Sequence, residues 1–279
     1  MEHRPEPRIT RRSRRLTDAE TRERMLRTAI DMISRDGLTV SLDHISFEAV
    51  IRAADVSRST AYRHWQFKEQ FIGDVVTELA RGAVPPVLHA EIGLIRQIVD
   101  EHADWLATAE TRHALVVELI RRLTRHDLRA VLASPAWRTY HALCATTNGL
   151  EGDLGDRVRA ALAESEQARI TRVATAWRTL AETFGYRLRP ELNAGFETLA
   201  AILGVTMHGL VVTETAAPQI AGRETVAAPF GAHAEERWSL AALGFAATAM
   251  TFLEPDPDAH WDEAVLRNTL DTWAVNSTA

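Results

Sequence analysis

The sequence predicts an all-α protein, and three observations lead to this fold class. Apolar residues recur with the 3.6-residue period of an amphipathic helix over residues 92–106, 113–132 and 158–184. The alternation of apolar and polar residues that marks a half-buried strand is hardly seen. The chain has 279 residues, 46% of them apolar, which is enough to bury a substantial core. We therefore expect helices packed on helices, in one large or two modest domains.

Three helices are expected near the N-terminus. Residues 17–20 (Thr-Asp-Ala-Glu) have the pattern of a capping box, and the amphipathic helix that they begin is expected to end at Gly37. Ser46 is the expected N-cap of a second helix. Four apolar residues of this second helix share one face: Phe47, Val50, Ile51 and Ala54. This face must pack against other helices.

A tight turn at residues 55–56 separates the second helix from a third, whose expected N-cap is Ser57. The inward side of the third helix is Ala61, with Trp65 one turn later. The remaining sides carry hydrogen-bonding groups: Arg58, Ser59, Thr60, Tyr62 and Arg63. So many polar groups on one short helix are typical of the recognition helix of a helix-turn-helix motif, which lies in the major groove of DNA.

The same segment resembles the tetracycline-repressor (TetR) family of transcriptional regulators over about residues 17–80. These residues carry the resemblance: Val56, Ser57, Tyr62, Arg63, His64, Trp65 and Lys68. Asp55 stands where the family usually has glycine, and it is tolerated because Asp enters the left-handed region more readily than most residues. Ala61 replaces a common leucine, and the loop before Ser46 is longer than expected. Beyond residue 80 the resemblance is one of architecture only.

The resemblance implies a division of the chain into three parts. Residues 1–16 are expected to be a disordered basic arm, residues 17–81 a helix-turn-helix domain, and residues 82–279 a helical domain for effector binding and dimerisation. A helix from about residue 68 should connect the two domains, before Pro85 and Pro86 end it. Later in the chain we expect a loop over residues 216–233 and a last helix over 259–274.

The charge of the chain is uneven. The net charge is −6, but residues 1–81 carry +2 and residues 82–279 carry −8. The arm contributes arginines that can lie along phosphates or enter a minor groove, or else remain solvated: Arg11, Arg12, Arg14 and Arg15 among them. The acidic remainder argues against a protein that wraps DNA without sequence preference.

Each polar residue of the motif has an expected role on double-stranded operator DNA. Arg63 and Arg58 can offer a bidentate pair of donors to guanine, and Ser59 and Thr60 can touch base edges or thymine methyl groups. Tyr62 and His64 resemble family positions that bind phosphates, and Ser46 and Ser57 can do the same while they cap their helices. Lys68 should bind phosphate too, because it lies at the positive start of its helix. Alternatively, Tyr62 is a surface aromatic and His64 a core-facing histidine.

Two apolar segments late in the chain, residues 194–213 and 238–253, resemble those with which the family forms a four-helix homodimer interface. Six small residues fall in them: Ala200, Ala201, Gly204, Ala241, Gly244 and Ala247. The alternative is close helix packing within a monomer. A dimer would present two recognition helices to half-sites about 34 Å apart in a palindromic operator.

The family also implies a cavity for a small-molecule effector in the C-terminal domain. Aromatic residues are the candidates for its lining, although aromatics on a helical stripe are more often ordinary core: Trp105, Trp137, Tyr140, Trp177 and Phe196. No cofactor or metal is expected, since the single cysteine, Cys144, excludes a cysteine cluster and the histidines lack a ligand spacing.

We expect a cytoplasmic protein without a membrane segment, because no signal peptide is recognisable and the apolar runs are short and rich in Ala, Gly and Thr. The predicted function is a sequence-specific transcriptional regulator, not an enzyme, and we expect a ligand-responsive repressor, although repression or activation depends on where the operator lies relative to a promoter. Two alternatives are a nonspecific DNA-binding protein and a helical enzyme using a pair such as Glu101 and His102. Adjacent residues point in different directions on a helix, which argues against that pair.

Overall fold

The computed structural model describes residues 17–36, 46–82, 92–147 and 149–276, and within these residues the fold is all-α apart from four short strands. The helices are α1 Asp18–Asp36, α2 Phe47–Ala53, α3 Arg58–His64, α4 Lys68–Gly82, α5 Ile92–Glu101, α6 Ala109–Ala133, α7 Pro135–Thr147, α8 Gly152–Thr183, α9 Phe196–Ala216, α10 Pro218–Ala221, α11 Leu240–Phe252 and α12 Glu263–Asn276. Three short 3-10 helices are Ala103–Leu106, Pro190–Leu192 and Pro229–Gly231. The strands are β1 Tyr186–Leu188, β2 Glu224–Ala227, β3 Glu236–Ser239 and β4 Leu253–Pro255. The predicted basic arm lies outside the described residues, as does the loop before Ser46.

Local signals fix the ends of the first helices. The predicted capping box is present, since Thr17 N donates to Glu20 Oε2 at 2.7 Å and Glu20 N donates to Thr17 Oγ1 at 3.2 Å. Ser46 Oγ accepts from Ala49 N at 3.2 Å, and Ser57 Oγ accepts from Thr60 N at 3.1 Å. The predicted N-caps of α2 and α3 are therefore confirmed.

The turn between α2 and α3 uses the left-handed conformation that the sequence suggested for Asp55, whose φ is 52°. Below this turn the N-terminal helices share an aromatic core. The Phe47 ring lies 6.2 Å from that of Trp65 and 4.7 Å from that of Phe71, and all three side chains are buried. Ala61 is fully buried on the side of α3 that faces this core.

The helix α4 joins these helices to the rest of the molecule by packing along α8. A Cβ at Gly73 would lie 3.1 Å from Leu154 Cδ1, so a glycine permits the close approach of the two helices. Next to it, Asp74 accepts hydrogen bonds from three other parts of the fold: Arg22 of α1 at 3.0 Å, Trp65 Nε1 at 3.1 Å and Arg157 of α8 at 3.3 Å. One carboxylate therefore connects α1, α4, α8 and the end of α3.

Beyond α4 the helices form a larger helical body. The 32-residue helix α8 is about 48 Å long. It packs on α4 near its start, on α9 along its length and on β1 near its end, while α6 packs on α5 and α11. The apolar runs at residues 194–213 and 238–253 correspond to the helices α9 and α11. The last helix, predicted over residues 259–274, begins later, at Glu263.

The prediction of a plain loop over residues 216–233 was wrong. This segment contains α10, β2 and a 3-10 helix, and β2 pairs antiparallel with β3. A second ribbon pairs β1 with β4. Strands of three or four residues are too short to show a period-two pattern, and their stability comes from the partner strand and from tertiary contacts. One such contact joins His113 Nε2 to the carbonyl oxygen of Phe230 at 2.8 Å.

Of the described helices, α9 is long and apolar enough to cross a membrane, judged by length and composition alone. The prediction that this run is too short is therefore wrong for the helix as observed, since α9 extends to 21 residues. A third of its most apolar window is buried against the other helices.

The contacts of Asp74 predict that Asp74→Asn destabilises the protein by about 1 to 3 kcal/mol, the range for hydrogen bonds to a charged group. Burial raises the pKa of Asp74, but hydrogen bonds from Trp65, Arg22 and Arg157 outweigh it and hold the pKa below its usual value. The carboxylate therefore stabilises the fold above about pH 4, and this contribution is lost as the pH falls through the lower folded-state pKa.

Urea unfolding of wild type and variant from about pH 3 to 7 measures this difference. The control is Asp156→Asn, which removes an exposed pair with Arg159 and should change the free energy of unfolding by less than about 0.5 kcal/mol. Equal losses in the free energy of unfolding for both variants would contradict the role of Asp74. So would a difference in this free energy between wild type and Asp74→Asn that does not shrink at low pH.

Candidate nucleic-acid interface

The helix α3 presents most of its predicted DNA-facing side chains to solvent. Ser59, Tyr62 and Arg63 are exposed, Thr60 is half-buried, and Ala61 is fully buried on the opposite side. Arg58 is also exposed, in the first turn. The structure thus brings the predicted polar residues together on one face, because the apolar side of α3 packs on the aromatic core.

Glu48 of α2 holds two of these side chains. The Tyr62 hydroxyl donates to Glu48 Oε1 at 3.1 Å, and Arg58 Nη2 lies 2.8 Å from Glu48 Oε2. The second contact is an ion pair without hydrogen-bond geometry, since Glu48 Oε2 makes no hydrogen bond. The hydrogen bond to Glu48 raises the pKa of Tyr62 above its usual value.

Asp18 of α1 holds the guanidinium of Arg63, whose Nη2 donates to Asp18 Oδ1 at 2.7 Å. His64 lies on the same side, with Nε2 3.8 Å from Asp18 Oδ1, but that nitrogen is buried and makes no hydrogen bond. The imidazole packs beside the indole of Trp65, with ring centroids 5.5 Å apart. His64 is therefore less accessible to a phosphate than the arginines are.

Serine hydroxyls at the start of α3 form a small network of their own. Ser57 Oγ lies 3.0 Å from Ser59 Oγ and 2.7 Å from Thr60 Oγ1. Ser46 and Ser57 are both exposed at the first turns of their helices while capping them. Each capping hydroxyl accepts the backbone N–H with a lone pair and keeps its O–H as a donor, so it can donate to a phosphate oxygen without breaking the cap.

Lys68 begins α4 beside the same face. It is half-buried, and within the described part of the chain its ammonium group has no hydrogen-bond or ion-pair partner. The preceding residue is Phe67, which has no side-chain oxygen to cap the first turn of α4. The N–H groups of this turn and the lysine together form a favourable position for an anion.

The sequence analysis did not find Glu48 and Asp18. No spacing rule relates Glu48 to Tyr62 or Asp18 to Arg63, since the pairs are separated by 14 and 45 residues. Both acids lie in the first turn of their helices, where an acidic residue is already explained by the helix dipole. Four of the predicted phosphate contacts, Arg11, Arg12, Arg14 and Arg15, lie outside the described residues.

The five aromatic residues predicted to line an effector cavity do not meet at one place. Trp177 lines an apolar cavity of ≈ 80 Å³ between α5, α6, α8 and α11. Trp137 and Tyr140 pack together against His208, and the Tyr140 hydroxyl donates to Glu166 at 3.2 Å. The remaining two have other partners: Trp105 stacks on His102, and Phe196 lies under Arg178.

The pair considered for an enzyme is not arranged for acid–base chemistry. Hydrogen bonds from Arg122 and Gln97 hold the pKa of Glu101 below its usual value, so this carboxylate is a poor proton donor or acceptor near neutral pH. The His102 ring stacks on Trp105 at a centroid distance of 4.1 Å. Among the described residues no group of three or more His, Cys, Asp or Glu side chains could hold a metal ion.

The outward face of α9 is apolar. Exposed residues recur every three or four positions along it: Thr198, Ile202, Val205, Gly209 and Val212. Beside it, α11 exposes Leu240 and Ala247.

Three of the small residues predicted for a dimer interface are instead buried within the protomer: Ala200, Gly204 and Ala241. A Cβ at Gly204 would overlap the guanidinium of Arg169, so this glycine lets the guanidinium lie against α9.

No protein-family model matches the chain, and no curated protein matches it. Three solved structures are similar to it at low identity. A proposed transcriptional regulator from Rhodococcus sp. RHA1 is 16% identical, with a TM-score of 0.41 over 71% of this chain and 88% of that chain. E. coli NemR in its reduced form is 14% identical, with a TM-score of 0.40 over 70% and 87%. A proposed TetR-family transcriptional regulator from Mesorhizobium loti MAFF303099 is 13% identical, with a TM-score of 0.41 over 92% and 98%.

The contact between Tyr62 and Glu48 predicts a change in tyrosine titration. The chain has three tyrosines, and burial raises the pKa of Tyr186 to about 12 and that of Tyr140 further, so Tyr62 should ionise first. Glu48→Ala removes the carboxylate and should move this first step toward the ordinary tyrosine pKa of about 10. Ultraviolet tyrosinate absorbance, read over the pH range in which circular dichroism stays unchanged, measures the step.

The control is Glu69→Ala, which removes an exposed carboxylate of α4 and should leave the first step in place. An unchanged first step in Glu48→Ala would mean that the carboxylate does not hold Tyr62 in solution.

Proposed function

We propose that the protein is a sequence-specific DNA-binding transcriptional regulator, not an enzyme, and that α3 is its recognition helix. The observation that carries the proposal is the face of α3, where Arg58, Ser59, Tyr62 and Arg63 leave one short, N-capped helix on the same side. The tight turn at Asp55, whose φ is 52°, separates α2 from α3 as the turn of a helix-turn-helix does. In this proposal residues 17–81 form the DNA-binding domain and residues 82–279 a second domain.

The roles follow from the chemistry of each side chain. Arg63 and Arg58 read guanine with bidentate donor pairs, while Ser59 and Thr60 touch neighbouring base edges. Tyr62 and Lys68 bind phosphates and set the register, with the exposed hydroxyls of Ser46 and Ser57 beside them. His64 contributes through its packing against Trp65, and the arginines of the N-terminal arm add phosphate contacts.

The carboxylates of Glu48 and Asp18 favour sequence-specific over nonspecific binding. They lie against Arg58 and Arg63, the two arginines proposed to read bases. They also repel phosphate groups, which weakens attraction to DNA of any sequence. They can also accept hydrogen bonds from the amino group of cytosine. The pair of Arg63 and Asp18 is exposed on both sides, so it contributes about 0 to 1 kcal/mol and is readily exchanged for a base contact. In the other pair the Arg58 guanidinium is exposed, while Glu48 Oε2 is buried.

A homodimer is the second part of the proposal, and the apolar face of α9 supports it. Two copies of α9 and α11 can form a four-helix interface that covers Ile202, Val205 and Val212. One recognition helix alone buries too little surface for tight binding, whereas a two-fold dimer presents two to a palindromic operator. We further propose that the regulator is a cytoplasmic repressor released by a small-molecule effector bound among the helices after α4.

The DNA-reading roles predict different effects for two variants. Arg63→Ala should cost about 1 to 3 kcal/mol on the preferred duplex and relax base preference at one position of each half-site. Lys68→Ala should weaken all sequences alike and reduce the slope of log affinity against log salt by about 1. Selection of random duplexes on the purified protein, followed by salt titrations of both variants, measures these effects.

The matched control is Arg159→Ala, which removes an exposed arginine of α8. No enriched duplex with wild type, or equal losses on selected and random DNA for both variants, would remove the proposed function of α3.

The dimer interface predicts that Val205→Glu gives a monomer with at least tenfold weaker affinity for the selected duplex, because the apolar face of α9 would bear a charge at its centre. Sedimentation equilibrium measures the mass. Val265→Glu changes another exposed valine, on α12, and should stay dimeric. A wild-type monomer with full duplex affinity, or a dimer that survives Val205→Glu, would refute this interface.

A further inference from the structure

A cleft of ≈ 390 Å³ lies between α5, α6, β3 and the start of α11, and it shares no lining residue with the apolar cavity beside Trp177. Residues 82–279 carry a net charge of −8, so an excess of cations at one place in them calls for an explanation. The charged side chains that line this cleft are five arginines and one glutamate: Arg121, Arg122, Arg125, Arg129, Arg237 and Glu118.

Two of the five arginines have partners that fix them in the wall of the cleft. Arg121 donates from Nε and from Nη2 to Glu118, each at 2.7 Å, and from Nη1 to the carbonyl oxygen of Arg237 at 3.0 Å. Arg122 pairs with Glu101 of α5. These two guanidinium groups are therefore already neutralised and hold α5, α6 and β3 together.

The other three arginines share a single carboxylate, that of Glu224 on β2. Arg125 Nη2 lies 3.9 Å from Glu224 Oε1, and Arg237 Nη1 lies 3.5 Å from Glu224 Oε2. Both distances are longer than the 2.7 to 2.9 Å or so of a strong charge-assisted hydrogen bond. Within the part of the chain that the structure describes, Arg129 has no ion-pair or hydrogen-bond partner. Positive charge is therefore in excess at this end of the cleft.

The spacing of the arginines along α6 adds to this excess. Arg121, Arg125 and Arg129 follow one another at four-residue intervals, so they lie on the same face of the helix. Like charges at this spacing repel each other and destabilise a helix. An anion bound between Arg125 and Arg129 would remove the repulsion, which favours a negatively charged occupant of the cleft.

The size and the polarity of the cleft indicate what kind of anion fits. Its volume lies at the lower end of the range of about 300 to 1,000 Å³ that small-molecule sites occupy. Leu94 and Ala242 give it little apolar surface, so the ligand must bind through its charge. A guanidinium group matches phosphate oxygens with two parallel N–H donors. Cations on successive turns of α6, with a further one on β3, suit a ligand with two linked phosphates.

Carboxylates around the cleft favour a small anion over an extended one. Glu101, Glu224 and Glu236 do not line the cleft, but each pairs with an arginine that does. They therefore lie at its border, where they repel the backbone of a nucleic acid. A small ligand inside the cleft reaches the arginines without passing along these acids.

We propose that this cleft binds a small-molecule polyanion of the diphosphate class, with its phosphate groups on Arg125 and Arg129 of α6 and on Arg237 of β3. Arg121 and Arg122 are positioning residues, which hold the walls through Glu118 and Glu101. The site lies apart from α3, and the inference goes beyond the proposed function and does not depend on it.

The test uses inorganic pyrophosphate, with inorganic phosphate for comparison. Calorimetric titration of the full-length protein without DNA, at about 0.1 M salt, gives a dissociation constant for each. We expect pyrophosphate to bind at least tenfold more tightly than phosphate, because its two groups contact Arg125 and Arg129 together. Arg125→Gln and Arg129→Gln should each weaken pyrophosphate binding by about tenfold, as expected when one charge-assisted hydrogen bond is lost.

Two further variants separate this site from general electrostatic attraction. Arg172→Gln removes an exposed arginine of α8 outside the cleft and should bind pyrophosphate as wild type does. Glu224→Gln removes the carboxylate that competes for Arg125 and Arg237, and should tighten pyrophosphate binding at least twofold, a gain that a damaged fold does not produce. Equal affinity for pyrophosphate and phosphate, no pyrophosphate binding, an equal loss in Arg172→Gln, or no gain in Glu224→Gln would each overturn the proposal.

Nucleic acid is the other polyanion that exposed arginines bind, and a second arm tests for it. The affinity for a duplex of random sequence is measured for wild type and for the double variant Arg125→Gln/Arg129→Gln. We expect the two affinities to agree within about twofold. A larger loss in the double variant would assign these arginines to DNA and overturn the small-molecule site.

Discussion

The carboxylate of Asp74 is the contact on which the arrangement of the N-terminal helices depends. It joins α1 through Arg22, the end of α3 through Trp65 and the start of α8 through Arg157, while itself belonging to α4. The apolar core alone would allow these helices to slide, because hydrophobic contacts are not directional. Hydrogen bonds to one charged group fix their relative positions, and with them the direction in which α3 presents its polar face.

Through Arg157, Asp74 also connects the polar face of α3 to the apolar cavity beside Trp177. The start of α8 contacts α4 at Gly73, and the far end of the same helix lines the cavity with Trp177 and its neighbours. A ligand that moved the end of α8 would therefore displace the partner of Asp74. Regulation requires a coupling free energy of about 1 to 3 kcal/mol, similar to that of one hydrogen bond to a charged group.

The sequence predicted those features that depend on neighbouring residues. The capping box at Thr17, the N-caps Ser46 and Ser57 and the left-handed Asp55 all have local causes, and each is present. The strands and the partners of the arginines were not predictable, because they depend on residues that only tertiary packing brings together. Tertiary packing also decides that Trp177 lines the apolar cavity while the other four predicted aromatics lie elsewhere. A helical stripe does not specify which cavity its residues line.

The two acids beside the reading arginines have a consequence for the balance of binding energies. Under the proposed function, a DNA contact of Arg63 competes with its pair with Asp18, and a contact of Arg58 competes with its pair with Glu48. A bidentate contact with guanine contributes about 1 to 3 kcal/mol of discrimination, which exceeds the 0 to 1 kcal/mol of an exposed ion pair. A phosphate gains less, because the displaced carboxylate stays nearby and repels it. Under the proposed function, this face therefore favours base contacts over contacts with DNA of random sequence.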